Sequence, residues 1–137
     1  MKSNMLISGY TTTFNCNKSE YPWKDSIESL LGFCDEVVVL DAGSDDGTWE
    51  ELLLWSDIED KLSINQHKID WNNDRFAYDS DGLQKARARK LCRGEWCWQS
   101  DVDEIVKEKD FNKVRELIKS LPEDLDILCL PVIEYWG

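Results

Sequence analysis

The stretch Glu36-Val37-Val38-Val39-Leu40 leaves the chain few ways to fold. A short, continuous apolar run is the mark of a central parallel strand, covered by other layers on both faces. The run opens into Asp41-Ala42-Gly43-Ser44-Asp45-Asp46-Gly47, whose glycines and short polar side chains favour a tight loop. Thr48, with Glu51 three positions on, then has the pattern of a capping box that starts a helix. Trp49, Leu52, Leu53 and Ser56 are its expected inward face. Strand, loop and helix in that order form one unit of an α/β sheet.

The same alternation runs along the chain. Met5 to Phe14 is rich in β-formers and predicts a first strand ending near Asn15. Pro22 suits a helix's first turn, and Trp23, Ile27, Leu30, Leu31 and Cys34 follow at helical spacing. Leu62 to His67 predicts a third strand, and Asp70 to Gly82 a long polar loop carrying Trp71, Phe76 and Tyr78. Asp81 with Gln84 repeats the helix-start pattern ahead of a helix from Leu83 to Cys92. Trp96 to Gln99 predicts a buried strand. Asp110 is placed to cap a helix with an apolar set of Phe111, Val114, Leu117, Ile118 and Leu121, stopped by Pro122. Ile127 to Tyr135 reads as a final strand, with Pro131 assigning it to an edge or a bulge. It has no closing helix behind it, the pattern of a fold cut short or completed by another chain. The sheet is therefore expected to be largely parallel with right-handed crossovers. The loops after the first, second and fourth strands then share its carboxyl edge.

With 137 residues, the expectation is one domain spanning 1–137. A hydrophobic content of 42%, with seven Trp, supplies enough apolar bulk for a core. A net charge of -12 and a pI near 4.4 argue against general affinity for nucleic acid or an anionic membrane. No stretch has the pattern of a signal peptide or a membrane span, so a cytoplasmic protein is expected. The five cysteines include no Cys-x-x-Cys pair; Cys34, Cys97 and Cys129 lie in apolar runs, which predicts buried, reduced thiols. A lone His67 weighs against a histidine-based metal centre.

The chemistry is concentrated in Trp96-Cys97-Trp98-Gln99-Ser100-Asp101-Val102-Asp103-Glu104, a strand running into three carboxylates. On an extended segment, Asp101 and Asp103 would point to the same side and converge on a hard cation. The carboxyl edge of an open α/β sheet is also where ligands bind. The competing reading is a solvated acidic turn in an acidic protein.

Taken with Ile7-Ser8-Gly9-Tyr10, Pro22-Trp23, Cys34 through Thr48 and Gly94-Glu95-Trp96, this motif resembles family-2 nucleotide-sugar glycosyltransferases of the Rossmann-like GT-A fold. The resemblance covers nearly the whole chain, over a length comparable to that family's nucleotide-binding half. It implies a mostly parallel central sheet with helices on both faces, incomplete at its C-terminal end. It implies an inverting, metal-dependent transferase moving a sugar from a nucleoside diphosphate, typically UDP, to a hydroxyl on an unidentified glycan, lipid or protein. By the same resemblance Thr11, Thr13 and Asn15 lie at the nucleoside, and Asp41 reads the base. A turn-making role beside Gly43 competes for Asp41. Asp45 and Asp46 are left outside the site, shaping the loop. Lys85 and Arg75 are candidates for the diphosphate or donor sugar. Asp103 would bind Mn²⁺ or Mg²⁺ directly, with Asp101 assisting or holding the ribose, and Glu104 giving structural support. The family's general base lies well beyond the metal motif, and no motif makes the late carboxylate Glu134 that base. Two other classes stay open. One is a non-catalytic nucleotide-sugar-binding module or incomplete subunit, for which association with a second chain is plausible. The other is a two-metal phosphohydrolase built on Asp41, Asp45, Asp101 and Asp103, weakened by the near absence of His.

Overall fold

The computed structural model describes residues 5–72 and 76–135. In chain order the elements are β1 (Ile7–Thr13), α1 (Trp23–Phe33), β2 (Glu36–Asp41), α2 (Thr48–Ser56), β3 (Leu62–Gln66), α3 (Phe76–Leu91), β4 (Trp96–Gln99) and α4 (Phe111–Lys119). The strands form one sheet in the order β3-β2-β1-β4, and every pairing is parallel. The apolar run Val37–Leu40 is buried along its whole length, because helices cover β2 on both sides. Val37 and Val39 pack with Ile27 and Leu30 of α1, Leu52 of α2 and Ile118 of α4. Val38 and Leu40 pack with Tyr10 and with Ala88 of α3. The protein is thus a Rossmann-like α/β sandwich, and the loops after β1, β2 and β4 meet at the carboxyl edge.

Several local expectations are overturned. The Thr48–Glu51 capping box does not form. Asp46 accepts hydrogen bonds from the Thr48 N–H (3.0 Å) and hydroxyl (2.6 Å), while Glu51 turns to Asn17 (2.9 Å) and Lys24. The N-cap position is Gly47, in the left-handed region, and Asp46 before it accepts from the first helical residue. Leu53 is exposed and Trp55 packs inward in its place. α3 starts at Phe76, so much of the expected 70–82 loop is helix, and Asp81 lies inside that helix rather than at its start. Gly82 sits inside the helix with open space where a Cβ would be. α4 has no side-chain cap bond from Asp110, and Leu117 is exposed.

β4 is not buried. It forms the edge of the sheet, and its residues alternate between half-buried and exposed. Trp96 and Trp98 turn to the α1 layer, where Phe33 meets Trp98 edge-on at 4.9 Å. Cys97 and Cys129 are exposed, against the expectation of buried thiols; Cys16 and Cys34 are buried. Residues 127–135 form no strand. Alternating apolar residues make a segment strand-like, but a strand exists only when its backbone finds a partner, and here Ile127, Val132, Ile133 and Tyr135 stay exposed.

At the amino edge, one buried carboxylate holds three segments together. Glu36 accepts hydrogen bonds from the Ser8 hydroxyl (2.6 Å) and from the Arg93 backbone N–H (2.6 Å) and Nε (2.9 Å). The Gly94 N–H donates to the Ser8 Oγ at 2.7 Å, which fixes the turn into β4. Burial pushes the Glu36 carboxyl up, but Ser8 and Arg93 outweigh it and hold it below the ordinary glutamate value. Nearby, Asp35 accepts from the Leu6 and Ile7 N–H groups and pairs with Arg115 at 3.2 Å.

Candidate functional site

β1 and β4 deliver their loops side by side at the carboxyl edge, and α3 runs along their flank. Between them lies a cavity of about 250 Å³ lined by Thr12, Phe14, Cys16, Tyr21, Asp81, Lys85, Asp101, Val102 and Asp103. A smaller cavity of about 90 Å³ adjoins it through Thr12, Phe14 and Asp81, and is closed by Ala42, Ile69 and Trp71. Phe14 and Trp71 pack at 4.7 Å between ring centroids with their planes tilted by 40°, giving this end of the groove an aromatic wall.

Asp101 and Asp103 both reach the larger cavity, by a route other than an extended segment. The chain turns at residues 101–104: the Glu104 N–H donates to the Asp101 carbonyl at 3.1 Å, and the Glu104 carboxylate accepts from the Asp101 N–H at 2.9 Å. Glu104 thus spends its charge on the turn. Ser26 of α1 donates to the Asp101 carbonyl at 3.0 Å, anchoring the turn from below. Lys85 of α3 sits between two carboxylates, 2.7 Å from Asp101 and 3.0 Å from Asp81. Burial lowers the proton affinity of its ammonium, but Asp101 and Asp81 outweigh that and hold Lys85 above the ordinary lysine value. It is a permanent positive charge at the cavity wall. Cys16, on the opposite wall, is held as a neutral thiol, pushed up to about 11 by burial.

Thr13, Asn15 and Asp41 form a hydrogen-bonded group beside the larger cavity, and Thr13 also lines the smaller one. The Asp41 carboxylate is fully buried and accepts from Thr13 (2.8 Å), Gln66 (3.1 Å), the Ser44 hydroxyl (2.6 Å) and the Gly43 and Ser44 N–H groups (2.9 and 2.8 Å). Gly43, at φ +99°, makes this loop possible. Asn15 joins the same knot: its N–H donates to Ser44 (2.9 Å) and its Oδ1 accepts from the Asp45 N–H (2.9 Å). Asp41 and Asn15 therefore lock the β1 and β2 loops to each other. Thr11 faces the α1 layer, is buried, and lines neither cavity. Arg75 lies outside the described residues. Sequence reasoning took in Thr12 and Phe14 only as part of the strand end from Thr11 to Asn15, and missed Tyr21 and Asp81. Period-two alternation along β1 was the available signal, because Tyr10 and Thr12 share the face that looks toward α3.

Among the described residues, no cluster of three or more His, Cys, Asp or Glu side chains could hold a metal ion. No described helix is long and apolar enough to cross a membrane.

No family model matches the chain. Solved structures with the same architecture include Staphylococcus aureus TarS, with a TM-score of 0.64 and 22% identity over 84% of this chain and 32% of TarS residues 1–349. The mannosyltransferase PcManGT from Pyrobaculum calidifontis matches with a TM-score of 0.58 and 19% identity, over 84% of this chain and 33% of that one. The chain shares the Rossmann-like α/β fold of these structures. One TarS structure holds UDP, and the PcManGT structure holds GDP-Man and Mn²⁺. In sequence, the chain is 28% identical over 101 residues to a dolichyl-phosphate beta-glucosyltransferase of Dictyostelium discoideum. That match covers 72% of this chain and 29% of the Dictyostelium enzyme, so the chain spans about a third or less of the proteins it resembles.

Proposed function

We propose that this chain is the nucleotide-sugar-binding portion of a metal-dependent, family-2-like glycosyltransferase, working in the cytoplasm on a nucleoside-diphosphate sugar, with UDP as the expected nucleotide. The observation that carries the reading is the convergence of Lys85, Asp101 and Asp103 on one cavity at the carboxyl edge of the sheet. Asp81, Asp101 and Asp103 all line the cavity, but among the described residues no three such side chains come together closely enough to cage a divalent ion alone. The site suits an ion that arrives with phosphate oxygens completing its shell. Asp103, which pairs with no cation among the described residues, would be the direct ligand of Mn²⁺ or Mg²⁺, with Asp101 assisting. The ion would act as a Lewis acid on the diphosphate that leaves the sugar.

The chain's own residues do the rest. Lys85 supplies fixed positive charge where the departing diphosphate gathers negative charge. The Glu104-stapled turn and the Ser26 bond hold Asp101 in place. The Phe14–Trp71 wall offers aromatic surface to a base or sugar ring. Asp41, assigned to the base by resemblance, acts here through the loop whose N–H groups it gathers.

A second reading, a donor-binding module that needs another part to supply the base, is favoured by one observation. Among the described residues, no acidic side chain after Asp103 in sequence lines either of these two cavities. The Dictyostelium relative makes glucose the first donor sugar to test and dolichyl phosphate the first acceptor.

Calorimetric titration with UDP, GDP and their sugars, each with and without Mn²⁺, tests the proposal. One nucleotide is expected to bind with Mn²⁺ dependence and to lose that dependence in Asp103→Asn. Binding unchanged in Asp103→Asn, or none to any nucleotide by the folded chain, overturns it. Sugar transfer by the 137-residue chain alone would reject the second reading.

A further inference from the structure

Two helices on opposite sides of the sheet each turn apolar residues to solvent, and the charges around those residues have opposite sign. In α2, Thr48 and Leu52 are the buried positions. Helical spacing therefore puts Glu50, Leu53, Leu54 and Asp57 on the outward side, with Ile58 just past the helix end. All five are exposed; Leu54 at 70% and Ile58 at 85% lie outside the core altogether. Every charged residue from Glu50 to Asp60 is acidic. Among the described residues, Glu50 and Asp57 have no cation partner.

The outward side of α3 is the complement. Gln84 and Ala88 are buried, so Leu83, Arg87 and Lys90 follow one another along a side away from the sheet, and the exposed Leu91 completes it at the helix end. From Leu83 to Leu91 every charged residue is basic, in a chain whose net charge is -12. Arg87 is steadied by donating to the Gln84 Oε1 at 3.1 Å, and Lys90 is exposed without an ion-pair partner among the described residues. Asp81, Lys85 and Arg89, four residues apart, form a different stripe, the one that meets the cavity. The two outward faces cannot touch within one chain: Leu52 anchors α2 in the layer of α1 and α4, and Ala88 anchors α3 in the opposite layer.

We propose that these faces are the two halves of a head-to-tail contact between copies of this chain. The acidic face around Leu53, Leu54 and Ile58 of one copy seats on the basic face around Leu83 and Leu91 of the next. The apolar side chains supply contact area, and the opposite charges select the partner face. Such a contact is heterologous, so each copy uses both faces and assembly passes beyond the dimer, into a ring or an open string. The overall negative charge opposes approach, but at physiological salt that repulsion is screened beyond about 8 Å, and charges across a contact are closer than that. With so few apolar residues the contact belongs to the small, weak class, and its charge pairs make it salt-sensitive. The stripe that carries Lys85 takes no part in it.

Sedimentation velocity of the folded chain up to about 1 mM protein, at about 0.1 M and about 1 M salt, tests the proposal. The weight-average mass is expected to rise with concentration beyond twice the 16.0 kDa of one chain, and to fall back at the higher salt. Leu54→Asp spoils the α2 face, and Arg87→Glu with Lys90→Glu reverses the α3 face. Each is expected to lose the salt-sensitive association and keep the parent Tm, and Ile58→Asp repeats the α2 test outside the helix. Mixed in equal amounts, the α2 and α3 variants should associate again but stop at the dimer, because each retains the face that the other has lost. A chain that stays monomeric overturns the proposal. So does association indifferent to salt, as contact through the apolar segment 127–135 would be. Loss in only one of the two variants, the mark of a face pairing with itself, or a mixture that stays monomeric, overturns it equally.

Discussion

At the scale of single residues, Thr11 separates packing from binding. Among the described residues, its hydroxyl is the one buried side-chain oxygen without a hydrogen-bond partner. Burying such a group costs about 1–3 kcal/mol. Thr11→Val is therefore expected to raise stability by about 1 kcal/mol in denaturant melts and to leave nucleotide binding unchanged. Loss of nucleotide affinity in that variant would return Thr11 to the site. Lys85 makes the opposite case. Lys85→Ala removes the charge facing the proposed diphosphate and should weaken UDP binding about tenfold while sparing uridine, as read by titration. The alternation of β1 explains why Thr12 lines both cavities and Thr11 lines neither. A resemblance identifies the strand end that meets the ligand, but only the sheet's packing says which parity faces it.

Whole elements were legible where the pattern was local. β2 was readable almost to the residue, because an uninterrupted apolar run has no other stable home. The start of α3 was not, since Gly82 and the Asp81–Gln84 spacing imitate a boundary that the helix runs straight through. Residues 127–135 misled for a different reason: alternation reports a strand-like segment but carries nothing about a partner. Nor did any local pattern announce the Glu36–Ser8–Arg93 junction, whose members come from three distant segments. That junction carries two predictions. Gly94→Ala would bring a Cβ within 2.7 Å of the Ser8 backbone nitrogen, so a loss of about 2–3 kcal/mol is expected in thermal or denaturant melts. Glu36 and Asp35 both have depressed folded pKa values. The stability they contribute is therefore present above their unfolded values, near 4.5 and 3.8, and drains away as pH falls through the lower folded values. Glu36→Gln should flatten the acid limb of a stability–pH profile and cost about 2 kcal/mol at neutral pH, where the native carboxylate is ionised. A profile that keeps its full acid slope would assign the dependence elsewhere.

For the molecule as a whole, the two edges of the sheet do different work: the amino edge is knotted by ion pairs, and the carboxyl edge is left open around Lys85, Asp101 and Asp103. The segment 127–135 contributes little to either. The contacts described for its side chains are a Lys107–Tyr135 hydrogen bond at 3.3 Å and the matching ring contact at 6.0 Å. Removing residues 127–137 is therefore expected to shift Tm by no more than about 3 °C and to reduce self-association in light scattering, by deleting exposed apolar surface. The strand order has a further consequence, in time rather than in space. β1 lies between β2 and β4, and Tyr10 bonds to Gln99, a residue 89 positions away. During synthesis, one side of the earliest strand must wait bare until the latest one emerges. Pairings of such long sequence separation slow folding, and an unpaired strand invites the wrong neighbour in the interval. The nascent chain is then most vulnerable to mispairing after β2 has docked and before β4 has left the ribosome.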